Sequence, residues 1–221
     1  MKVIGLLGGT FNPIHFGHLR MAQELADAFE LNEVRFILAA QPPHKPLPSA
    51  NAEHRKAMVN LAIADNPLFK LDTRELDRTG ASYTIDTLIS LREELGAEVS
   101  LVLCMGSDAF RKLDTWHRWQ ELLDYCHIAL VQRPLSSSET LPKVLETFLV
   151  NHYSEHSEDL HDSHAGYIIM QQITALDISS TAICHQLKHG QSVRYLLPEK
   201  VIAYLHEHAL YQNNLKKEPH G

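Results

Sequence analysis

Apolar residues fall along this chain in short dense runs, separated by longer stretches where they recur every three or four positions. The runs at 2–7 (KVIGLL), 34–40 (VRFILAA), 99–104 (VSLVLC) and 127–132 (HIALVQ) lack polar alternation, which predicts strands buried on both faces. A short strand is expected at 69–72 and a last one at 167–171. Residues 19–29 set Leu19, Ala22, Leu25, Ala26 and Phe29 on one helical face. Further helices are predicted at 53–64, at 85–95 with Gly96 as its stop, around 143–150, at 180–189 and at 198–208. Pro42-Pro43, Gly106 and Arg133-Pro134 terminate strands.

Strand, helix, strand in succession makes a parallel pair with a right-handed crossover the default. Repeated along the chain, it predicts an open, doubly wound α/β sheet with helices on both faces. Ligands of such sheets bind beyond the carboxyl ends of the strands. One domain over 1–221 is expected, with 175–211 as a small closing helical part and 212–221 as a disordered tail. The polar stretch 135–165, with His152, His156, His161 and His164, reads as a solvated loop around one helix; its histidine spacings follow no strong metal-ligand template.

Composition narrows the function more than the fold. The 221 residues carry 20 basic and 27 acidic side chains, a net charge of −7, without the basic surplus of a duplex-binding protein. No nucleic-acid partner is expected, whereas an anionic small substrate needs only a local cluster of cations. Cys104, Cys126 and Cys184 are an odd, scattered set with no C-x-x-C pair, which fits a reducing compartment. No apolar run reaches the ~20 residues of a membrane span. The first ten residues read as a strand rather than a signal peptide, so a cytoplasmic protein is expected.

The first chemistry lies at 8–18, GGTFNPIHFGH, between the first strand and the first helix. It is neither a P-loop nor G-x-G-x-x-G. Gly8 and Gly9 allow backbone N–H groups to approach a ligand closely. The helix start offers unpaired N–H groups and a positive dipole end. His15 and His18 project beside that end and can donate to a phosphoryl group; an exposed histidine pair or a metal pair is the plainer alternative. Tyr83 and Thr84 open another helix, whose N–H groups can take a carboxylate or simply be capped. Trp116 is a stacking surface for a flat ring or a core residue, while Trp119 is read as core. Gly106 and Asp108 follow the strand at 99–104; Asp108 is a ribose or metal contact, or a helix cap. Ser179, Ser180 and Thr181 open a late helix, as a phosphate site or as caps.

These residues, in order, resemble a family. GGTFNPIHFGH is similar to the signature of the H-x-G-H nucleotidyltransferase superfamily. Pro42-Pro43-His44-Lys45, His54-Arg55, Ala81-Ser82-Tyr83-Thr84, Gly106-Ser107-Asp108, Thr115-Trp116, Gln132-Arg133-Pro134 and Ile178-Ser179-Ser180-Thr181 resemble segments of the bacterial nicotinate-nucleotide adenylyltransferases, from residue 3 to about 211. The resemblance implies a Rossmann-like fold and adenylyl transfer from ATP to nicotinate mononucleotide, with Mg2+ as cofactor. It implies that His15, His18, Thr10 and Lys45 act on the phosphate under attack. It implies ATP contacts at Gly8, Gly9, Phe11, Gly106, Asp108, Arg133, Ser179, Ser180 and Thr181. The second substrate then falls to Tyr83, Thr84, Trp116 and His44, with no protein metal site. Two positions depart from the pattern: Cys184 replaces an arginine, and Ala39 replaces an asparagine. The rivals are pantetheine-phosphate or nicotinamide-mononucleotide adenylyltransferase and a degenerate nucleotide-binding protein. Whether copies of the chain assemble is left open.

Overall fold

The structure, a computed structural model, describes residues 1–40, 48–132, 140–174 and 176–212. Seven parallel strands form one sheet: β1 (Lys2–Gly9), β2 (Glu33–Leu38), β3 (Phe69–Asp72), β4 (Val99–Gly106), β5 (His127–Gln132), β6 (Tyr153–Ser154) and β7 (Ile168–Gln172), in the order β3-β2-β1-β4-β5-β7-β6. The order runs outward from β1 in one direction and from β4 in the other, which makes the β1/β4 junction the topological switch point.

Strand side chains alternate between two cores. Val3 and Leu7 of β1, Val102 and Cys104 of β4, and Ala129 and Val131 of β5 face one side. Ile4 and Leu6, Leu101 and Leu103, and Ile128 and Leu130 face the other. The first face is covered by α1 (Phe16–Ala28), α2 (Ala52–Ile63), and the closing pair α8 (Ser180–Lys188) and α9 (Glu199–Glu207), through residues such as Leu25, Met58, Ile183 and Val201. The second is covered by α3 (Thr84–Leu95), α4 (Ser107–Phe110), α5 (Leu122–Tyr125) and α6 (Lys143–His152). Among the described residues no helix is long and apolar enough to cross a membrane.

Local chemistry sets the helix ends. Asn51 caps α2 by accepting from the His54 N–H at 2.9 Å. Gly96, at φ 72°, stops α3 with its N–H on the Arg92 carbonyl. The first helix starts at Phe16, three residues before the apolar-periodic run at 19–29 and one before the start near Gly17 expected from the motif, with His15 as its cap. Between β4 and β5 the chain folds into α4, 3-10 turns at Leu113–Thr115 and Trp119–Glu121, and α5, pieces too short for periodicity to reveal.

The stretch 135–165 corrects the reading of a solvated loop: beyond α6 it supplies the edge strand β6 and α7 (Asp159–Asp162). Its histidines diverge. His152 Nδ1 meets the Gly166 carbonyl at 3.1 Å, His161 Nε2 meets the Phe29 carbonyl at 3.1 Å, and the His164 carbonyl accepts from Arg92. Among the described residues no group of three or more His, Cys, Asp or Glu is placed to hold a metal.

His127, fully buried at the start of β5, stacks on Tyr167 with ring centroids 5.6 Å apart. Its Nδ1 accepts from the Tyr167 N–H at 3.1 Å, so its proton sits on Nε2 and is donated to the Ser163 carbonyl at 3.0 Å. Burial pushes its pKa down to about 4. The unfolded chain takes up that proton near pH 6.5, so the folded state's advantage is complete above that value and is lost as pH falls toward 4. Between pH 7 and 5 this residue should remove about 2 kcal/mol of stability. Urea denaturation at both pH values should show that loss in the wild type and its absence in His127→Phe; equal losses would acquit His127.

Candidate active site

The switch point is open at two glycines. A Cβ added at Gly8, near the end of β1, or at Gly106, the end of β4, would meet nothing within 4 Å. Gly9 is a glycine for another reason: its Cβ would lie 2.7 Å from the Phe11 ring. Phe11 has φ 46° and is 2% exposed, with its ring edge-on to His18 at 5.1 Å. Its side chain therefore braces the site from below, and only its backbone can meet a ligand.

His15 and His18 come together. Their rings stack at 3.7 Å with 25° between planes, and Gly17 leaves His15 its room, since a Cβ there would press on that ring at 3.0 Å. The His15 N–H donates to His18 Nδ1 at 3.3 Å, inside the first turn of α1. Neutral His18 thus carries its proton on Nε2, the nitrogen that can donate to a phosphoryl oxygen.

The backbone of the loop is gripped from behind. Ser180 Oγ donates to the Pro13 carbonyl at 2.9 Å, and Cys184 Sγ donates to the Asn12 carbonyl at 3.5 Å. The Asn12 side chain accepts from the Tyr211 hydroxyl at 2.6 Å and from the Ala50 N–H at 3.2 Å, and donates to Ser49 Oγ at 3.1 Å. Burial raises the pKa of both Cys184 and Tyr211, which keeps them protonated donors. Cys184 therefore sits where the resembled pattern has a cation, and its thiol backs the loop.

The other predicted residues divide. Ser179 accepts from the Ala182 N–H at 3.2 Å as the cap of α8, and Thr181 is exposed. Asp108, with 80% of its side chain exposed, pairs with Arg111 at 3.3 Å at the start of α4. Thr10 is half-buried at the end of β1. His44, Lys45 and Arg133 lie outside the described residues.

A second constellation forms at the start of α3. Tyr83 is its cap residue and Thr84 its first residue; the Tyr83 ring lies 4.5 Å from that of His117. Trp116, half-buried after its 3-10 turn, is the neighbour of His117, so this tilted ring contact joins the two segments expected to share a substrate. Trp119 packs edge-on against Phe148 at 5.0 Å, as a core residue. His117 was not singled out by sequence reasoning; its position next to Trp116 was the available signal. Beneath lies Glu75, 8% exposed, which accepts from Thr87 Oγ1 at 2.7 Å and from Ser82. Arg78 also bonds Thr87. Burial raises the Glu75 pKa, and these donors oppose the rise. The buried carboxyl thereby ties the loop that delivers Tyr83 to the first turns of α3.

Residues 6–186 match the model of the cytidylyltransferase-like family. A "probable nicotinate-nucleotide adenylyltransferase" of Halorhodospira halophila is 46% identical over 201 residues, 91% of each chain. One of that name from Pseudomonas fluorescens is 46% identical over 211 residues, 96% of this chain and 98% of its own. A solved Plasmodium falciparum nicotinic acid mononucleotide adenylyltransferase, complexed with NaAD, shares the fold at a TM-score of 0.71 and 17% identity, covering 96% of this chain and 98% of that one.

Thr87→Val should expose the dependence of this loop on Glu75. Removing the hydroxyl leaves a buried carboxyl short of a donor, a loss of about 1–3 kcal/mol. Urea denaturation should read that loss; a change below about 0.5 kcal/mol would mean that the carboxyl draws its support elsewhere.

Proposed function

The chain belongs to the cytidylyltransferase-like family, among its nicotinate-nucleotide adenylyltransferases, and from that membership we propose how its site transfers an adenylyl group from ATP to nicotinate mononucleotide. The products are nicotinate adenine dinucleotide and pyrophosphate. An oxygen of the mononucleotide phosphate forms a bond to the α-phosphorus of ATP, while the bond between that phosphorus and the bridging oxygen breaks. Pyrophosphate leaves with the electron pair. The attacking group is already an anion, so no serine, cysteine or general base is required. Catalysis is positioning plus stabilisation of charge at phosphorus.

The observation that carries this reading is the stacked His15–His18 pair at the N-terminus of α1, beside the open ground over Gly8 and Gly106. There the imidazoles hold the α-phosphate, with His18 donating through Nε2, and Thr10 and the sequence-predicted Lys45 assist. The triphosphate lies toward Gly106, Asp108, Arg133 and the N-terminus of α8. The nicotinate carboxylate accepts from N–H groups at the start of α3, and its ring meets Trp116 and His117. His44 belongs to the same substrate.

Nucleotidyltransferases of this family act on ATP with a divalent metal. The donor set fits an ion held by phosphate oxygens and water: Asp108 offers one exposed carboxylate at the end of β4, and the imidazole pair is already engaged in its stack. We assign that ion as Mg2+; Asp108 would help to hold it, and it would supply positive charge to the leaving pyrophosphate.

Incubating the protein with ATP, Mg2+ and either nicotinate mononucleotide, nicotinamide mononucleotide or phosphopantetheine, and following pyrophosphate release, tests the reading. Nicotinate mononucleotide should be preferred over the amide by about 10- to 150-fold, the worth of a charge-assisted hydrogen bond. Equal rates with acid and amide would remove the carboxylate site. In the same assay His18→Ala should lower kcat by about 100- to 1000-fold, as for one preorganised donor to a developing charge, with folding little changed.

A further inference from the structure

Arg55, in the first turn of α2, is 2% exposed and has no role in the chemistry described above. Its Nη1 donates to two carbonyls, Thr10 at 3.0 Å and Ala39 at 2.7 Å. Thr10 directly follows β1 and Ala39 directly follows β2. One nitrogen therefore ties together the carboxyl ends of two neighbouring strands, at the edge of the switch point.

The consequence follows from peptide geometry. In a trans peptide the C=O of one residue and the N–H of the next point in opposite directions. Drawing the Thr10 carbonyl toward Arg55 turns the Phe11 N–H away from it. Drawing the Ala39 carbonyl in turns the Ala40 N–H away likewise. Among the described residues neither N–H has an acceptor.

The charge of Arg55 is unusual as well. Among the described residues no carboxylate pairs with it, and its buried Nε has no hydrogen-bond partner. Burial lowers its pKa, yet a guanidinium stays charged. A buried cation without a counter-ion is costly, and phosphate oxygens beyond the two amides would offset that cost.

We propose that Arg55 is a positioning residue of the nucleotide site, holding the Thr10 and Ala39 carbonyls so that the Phe11 and Ala40 amides face bound phosphate while its own charge stands behind them. That the phosphate belongs to a nucleotide rests on the adenylyl-transfer reading.

The test compares the full-length wild type with Arg55→Met and Arg55→Lys. Each is measured for pyrophosphate affinity by calorimetry, for kcat/KM toward ATP, and for melting temperature without ligand. Arg55→Met should bind pyrophosphate at least about tenfold more weakly and lose about 100-fold in kcat/KM for ATP, with its melting temperature little altered. Arg55→Lys should return pyrophosphate affinity to within tenfold of the wild type, because a single nitrogen can serve both carbonyls. A Met variant that binds pyrophosphate within a few-fold of the wild type overturns the proposal. Should the Met variant not fold, the Lys variant decides: affinity within tenfold of the wild type supports the proposal, and a larger loss overturns it. A wild type that binds pyrophosphate but yields no dinucleotide would instead sink the adenylyl-transfer reading, leaving the Arg55 comparison intact.

Discussion

The carbonyls of residues 10, 12 and 13 are the fixed points on which the site depends. Arg55 takes the first, Cys184 the second and Ser180 the third, and Tyr211 pins the Asn12 side chain between them. These donors come from α2, α8 and the turn after α9, far apart in sequence and all on one face of the sheet. A loop held by its carbonyls has its remaining amides oriented by default. The closing helices are therefore more than a cover for apolar surface: without them the loop would keep its sequence and lose its direction.

That constraint explains how a chain with net charge −7 can serve polyphosphate chemistry. On the proposed reading the attraction is local and directional, made of helix N-termini, oriented amides, an imidazole pair and one buried guanidinium. Preorganised dipoles of this kind need no rearrangement as charge develops at phosphorus. The start of α3, proposed to take the acid substrate, is built in the same way: Glu75 secures the loop from below and Tyr83 meets His117. The two halves sit on opposite sides of the switch point, each on an element fixed by its own core.

Much of this was legible in the residues. Unalternating apolar runs announced a parallel sheet, and GGTFNPIHFGH announced the family. The start of α1 was read from the motif to within one residue but not from its cap, which is a histidine where cap preferences favour Ser, Thr, Asp and Asn. The edge strand β6 escaped because two residues carry no periodicity. Phe11 and Ser179 belong to two different resembled segments, and in the fold one side chain packs in the core while the other caps a helix. Arg55 lay within a resembled segment, but its contacts, like those of Glu75, were hidden for a deeper reason. Their partners are backbone carbonyls in one case and hydroxyls in the other, contacts that only the fold creates.

The account holds that the protein orients two substrates and contributes no covalent nucleophile. The stereochemistry at the transferred phosphorus tests this most directly. ATP carrying sulfur on its α-phosphorus in a single configuration should be turned over with nicotinate mononucleotide, and the configuration of the resulting dinucleotide determined. A single in-line displacement predicts inversion. Retention would mean two displacements through an adenylylated side chain, and would contradict the account at its centre.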